Sequence, residues 1–103
     1  MNFGLSASDW GLVRTLIIEK LQAAGCDVWV FGSRARGTHR EFSDLDICFS
    51  AKSQLPTGLL SEIKEATEDS NIPVKVEIGP WEDLADDYRQ NIVRDRKLVA
   101  VVP

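Results

Sequence analysis

Residues 32–46 read G-S-R-A-R-G-T-H-R-E-F-S-D-L-D and hold the side chains whose types and spacing can do chemistry. A Gly-Ser turn follows an apolar run. Glycine lets the chain turn sharply, backbone N–H groups at a helix start favour phosphate, and Ser33 adds a hydroxyl donor. Asp44 and Asp46 come at a spacing of two, which on a strand aims both carboxylates to one side and Leu45 to the other. That combination suits a nucleoside triphosphate held with two divalent cations. Two Mg2+ ions about 3.5–4 Å apart neutralise triphosphate charge and bring an acceptor hydroxyl in line. Mg2+ takes oxygen ligands and keeps several waters, so a few carboxylates suffice. Asp44 and Asp46 are the expected bridging ligands. Gly32, Ser33, Arg34, Arg36 and Ser43 are the expected nucleotide contacts. A Gly-Ser turn or a Ser-Asp pair alone is commonplace; the conjunction carries the reading.

Secondary structure must position these residues. Ser8 and Asp9 can cap a first helix reaching about Ala24, with Trp10, Val13, Ile17, Leu21 and Ala24 as its apolar stripe and Gly25 as its stop. Residues 27–31 form a short β-rich run, broken by Gly32 and Ser33, with a short helix to about Arg36. Residues 45–49 make a second strand, with Leu45, Ile47 and Phe49 on one face and Asp44, Asp46 and Cys48 on the other. Pro56 suits a helix start, and Leu59, Leu60, Ile63 and Ala66 continue at helical spacing. Residues 74–78 read as a third strand and 80–94 as a last helix carrying Trp81, Leu84, Tyr88 and Ile92, with Tyr88 read as packing. The tail, 98–102, is expected to be extended against the body. The order α-β-α-β-α-β-α predicts an α/β (α+β) fold with helices over the apolar sheet face and the other face open. Parity puts Glu77 on that open face with Asp44 and Asp46, as a third carboxylate to hold the catalytic metal and help deprotonate the acceptor.

Composition bounds the function. One hundred and three residues make one domain, spanning the whole chain, with room for a single core. No apolar run approaches the ~20 residues of a membrane span, and the first residues lack the pattern of a signal peptide. Cys26 and Cys48 read as small buried residues in a reducing compartment, so the cytoplasm is the expected location. Sixteen acidic against twelve basic residues give −4, which argues against direct nucleic-acid binding. Basic clusters survive locally: Arg34, Arg36 and Arg40 can meet phosphate, whereas Arg94, Arg96 and Lys97 read as a solvated helix end. His39, the only histidine, reads as surface.

Gly32-Ser33, Gly37 and Ser43-Asp44-Leu45-Asp46 resemble the G-S-x-A-x-G-x(n)-S-D-x-D signature of the DNA polymerase β-like nucleotidyltransferase superfamily. The whole chain, in element order, is similar to the superfamily's minimal nucleotidyltransferase (MNT) branch. The resemblance implies a mixed sheet, Mg2+ dependence and transfer of a nucleoside monophosphate, AMP from ATP, with release of pyrophosphate. It also implies a small helical HEPN-domain partner, a toxin for which the MNT protein is the antitoxin, with AMP passing to a toxin tyrosine. A hetero-oligomer or homodimer follows. One position departs from the family pattern. Glu77 stands where an aspartate is usual, and its extra methylene displaces the carboxylate by roughly 1–1.5 Å. Two other readings stay open: an antitoxin acting by binding alone, and transfer to a small molecule of the aminoglycoside type.

Overall fold

The computed structural model describes residues 2–101. The first helix, α1, covers residues 7–23 as an α-helical start (Ala7–Val13), a π-helical stretch (Arg14–Ile18) and an α-helical end (Glu19–Ala23). Its cap is Ser6, two residues ahead of the expected position, and the Ser6 hydroxyl accepts the Asp9 N–H at 3.1 Å. Capping there leaves Leu5 and Trp10 at the two positions of a hydrophobic staple, and both are buried. The wider π turn presents Ile17 and Ile18 together to the core.

Strand β1 (Cys26–Phe31) runs into the short helix α2 (Gly32–Arg36), and β2 (Leu45–Ala51) follows. Then come α3 (Leu59–Glu68), β3 (Val76–Pro80), a 3-10 turn (Trp81–Asp83), α4 (Asp86–Asp95) and β4 (Lys97–Leu98). The sheet order is β3-β2-β1-β4. β1 is antiparallel to β2 and β4, and β2 is parallel to β3, which makes the sheet mixed. The parallel pair requires a crossover, and α3 provides it. Val28, Val30, Leu45, Ile47 and Phe49 form the apolar face and join Val13, Ile17, Ile18, Leu21 and Ile63 in one core. Fully burying each such side chain contributes about 1.5–3 kcal/mol.

Three expectations need correction. The third strand begins at Val76, later than residue 74; Pro73 cannot donate to a ladder, and the chain joins β2 first through the Leu45 N–H to the Lys75 carbonyl at 2.9 Å. The last helix is not continuous from Pro80: that proline ends β3, and an extended Leu84–Ala85 link separates the 3-10 turn from α4. Third, the polar sheet face is open along only part of its length. Cys48, beside Trp29 in the register, is 1% exposed because the 3-10 turn folds over it; Ser50 Oγ donates to Glu82 Oε1 at 2.6 Å and fastens that turn to β2. Among the described residues the tail pairs with β1 at Lys97–Leu98, and the Val99 N–H reaches the Val28 carbonyl at 2.9 Å. Val102, the end of the expected extended tail, lies outside the described residues. No helix among the described residues is long and apolar enough to cross a membrane.

Candidate active site

The open part of the sheet face carries a cleft of ≈ 330 Å³ whose lining includes Asp44, Asp46, Glu77 and Phe31 from the sheet side and Leu84 and Tyr88 from the C-terminal side. Register explains the grouping. Asp46 is the β2 partner of Glu77 on β3 and of Phe31 on β1, so the first carboxylate pair lies directly across two parallel strands. Asp44, two residues earlier, faces the same way. Burial, then the charges of Asp44 and Glu77, pushes the Asp46 carboxyl above its ordinary value, and Arg36 partly opposes them. The cleft therefore concentrates negative charge on oxygen ligands, a donor set that fits a hard divalent cation.

The three carboxylates do not form a finished ligand set. Among the described residues no three His, Cys, Asp or Glu side chains converge closely enough to hold an ion. Glu77 is turned along its own strand to Lys75, whose Nζ lies 2.9 Å from Oε1. The third carboxylate is thus paired with the lysine that precedes β3. Asp44 and Asp46 remain the pair available to an ion.

Gly32 has a sharper reason to be glycine than a generic turn. Its φ is +75°, and a Cβ there would collide with the Asp46 carboxylate. Ser33 is half-buried in the first turn of α2. The Ser43 hydroxyl accepts the Arg40 N–H at 2.8 Å, and the Ser43 N–H reaches the Arg40 carbonyl at 3.1 Å, so Ser43 closes the turn that delivers Asp44.

The two arginines of α2 part company. Arg36 stays exposed and lies 3.8 Å from Asp95, lining a hollow with Gly32 and Tyr88 at the cleft's edge. Arg34, expected to meet phosphate, is 3% exposed and faces inward. Its guanidinium donates to the carbonyls of Phe3 (2.9 Å), Glu41 (3.0 Å) and Ser43 (2.9 Å). It ties the N-terminal turn to the loop that carries Asp44, and its donors are spent on the backbone. An alternating sequence pattern cannot announce this, because the acceptors are main-chain atoms.

Arg96 also departs from its expected role as a solvated helix end. Its guanidinium carbon sits 4.4 Å from both the Trp29 and Trp81 ring centroids, over two tilted rings 6.3 Å apart. Burial at this end pushes the Cys48 thiol up to about 11, which makes it an inert packing group; Cys26 is likewise free and buried. Tyr88 is half-exposed on the cleft wall rather than packed away.

Comparison with known proteins places this geometry. The profile of the nucleotidyltransferase domain family matches residues 14–99, a span that includes every residue of the cleft. The chain is 33% identical over 75 residues to a probable protein adenylyltransferase, MntA, of Haemophilus influenzae, a match over 73% of this chain and 63% of that relative. The matched segment thus spans less than two thirds of the relative's length. Two solved structures share the fold. One, a toxin-antitoxin with AMP-PNP, has a TM-score of 0.62 at 23% identity, covering 82% of this chain and 70% of that one. The other, a mutant of the toxin-antitoxin MntA-HpeT, has a TM-score of 0.60 at 20% identity with the same coverage.

Proposed function

The chain belongs to the nucleotidyltransferase domain family, and on that footing we propose that it moves AMP from ATP to a hydroxyl of a partner protein. The observation that carries the reading is the crowding of Asp44, Asp46 and Glu77 charge in one cleft beside the Gly32 turn. In the reaction the acceptor oxygen attacks the α-phosphorus, the bridging bond to the β-phosphate breaks, and pyrophosphate leaves with that electron pair. Asp44 and Asp46 would hold a Mg2+ ion, which when bound neutralises phosphate charge. The carboxylates take the acceptor proton. Gly32 and Ser33 start a helix whose free N–H groups suit phosphate, and exposed Arg36 stands at the cleft's edge to meet it.

We assign the acceptor to a partner, in line with the relative named a protein adenylyltransferase. A helical toxin of the HEPN class fits, with this chain as its antitoxin. The relative is named a protein adenylyltransferase and the fold neighbours come from toxin-antitoxin structures. Two buried free thiols suit a reducing compartment, the cytoplasm. The test is transfer of label from α-labelled ATP with Mg2+ to a co-purified helical partner. Asp44→Asn and Asp46→Asn should each reduce transfer by at least about 10²-fold. No label on the partner, or equal label with both variants, would sink the reading. The Lys75–Glu77 pair favours a second reading, neutralisation by binding alone; full neutralisation by the Asp44→Asn, Asp46→Asn double variant would select it.

A further inference from the structure

Lys75 immediately precedes β3 and lies two residues before Glu77, a spacing that in extended chain sets their Cα atoms about 6.6 Å apart. A lysine and a glutamate together span that gap, and Nζ closes on Oε1 at 2.9 Å. The same register sets Glu77 directly beside Asp46. The Asp44 charge also acts on Lys75, in the same direction as its pairing with Glu77. A two-cation site would draw on Glu77 to hold its second ion. One divalent ion and one ammonium already neutralise three carboxylates, and the longer side chain of Glu77 suits reaching back along the strand.

We propose that Lys75 replaces the second cation: the cleft takes one divalent ion on Asp44 and Asp46, while Lys75, steered by Glu77, supplies the other positive charge to the triphosphate. Glu77 is then a positioning residue for Lys75 and not a metal ligand. The inference rests on the transferase reading of the same cleft and specifies its ion count.

Mn2+ binding to the chain alone, followed by electron paramagnetic resonance, tests it. The wild-type chain should bind one ion, lost or weakened at least about tenfold in Asp44→Asn or Asp46→Asn. Glu77→Gln should leave that ion's affinity within about threefold, a change far below the loss of a ligand. Lys75→Gln should admit a second ion, and Lys75→Arg, which keeps the charge, should still bind one. Two ions on the wild-type chain, a tenfold loss in Glu77→Gln, or a single ion on Lys75→Gln would each overturn the proposal. A chain that binds one Mn2+ yet modifies no partner fails the transferase reading and leaves the count standing; one that modifies its partner with two ions bound fails the count alone.

Discussion

The polar face of the sheet has two ends, and they treat charge in opposite ways. At one end Arg96 lies against Trp29 and Trp81, the 3-10 turn is fastened through Glu82, and Cys48 is buried. A cation there is satisfied by the chain's own rings. At the other end Asp44, Asp46 and Glu77 crowd together, and Asp46 is pushed towards protonation by burial and by its neighbours. The first end is closed by contacts; the second keeps charge that its own residues only partly compensate. A carboxyl pushed up in a cleft makes the second end the candidate functional one.

Each end has an arginine brace, and removing the braces tests how far the difference reaches. The largest effect is expected from Arg34→Met. Three carbonyls would lose a buried charged donor, at a cost of about 3 kcal/mol in urea unfolding. Amide exchange should rise across residues 37–44, loosening the loop under Asp44. Unchanged exchange there would break the idea that the acidic end depends on this brace. A smaller loss, about 1–2 kcal/mol, is expected for Arg96→Ala, since cation–π contacts are lost from a partly desolvated pair of rings. Cys48 should then react faster with a thiol reagent, while Mn2+ binding at the acidic end stays as it was.

The smallest effect is one of sign. The folded-state pKa of Asp46 is raised above the ordinary 3.8, so its contribution favours folding below that pH and is lost as pH rises through the folded value. Asp46→Asn should remove this dependence. Compared with that variant, the wild-type chain should lose stability from about pH 4 upward, read by urea unfolding at several pH values. A wild-type chain that gained stability over that window would contradict the crowding of the acidic end.

Much of the molecule was legible because its signals are local. Alternation along residues 45–49 fixed which side chains enter the core, and the same parity set Asp46 and Glu77 on one face, where the register joins them. The apolar stripe of α1 marked Val13, Ile17 and Leu21, all buried. The element boundaries shifted where nonlocal contacts compete with local preference. Ser6 rather than Ser8 caps α1 because the staple residues then enter the core, and Pro80 ends a strand because β3 pairs with β2 as far as Phe49.

The sequence by itself determined the faces of the strands, the turn at Gly32 and the common side taken by Asp44 and Asp46, since each follows from side-chain period and backbone freedom. Only the tertiary structure decided where charges find partners. Arg34 donates to carbonyls as far as 31 residues away, Arg96 lies over rings from two separate segments, and Glu77 pairs with Lys75. Strand parity says which way a side chain points. Whether a charge there stays free for a ligand depends on which groups the folded chain brings within a few ångströms, because Coulomb attraction and desolvation are set by distance in space.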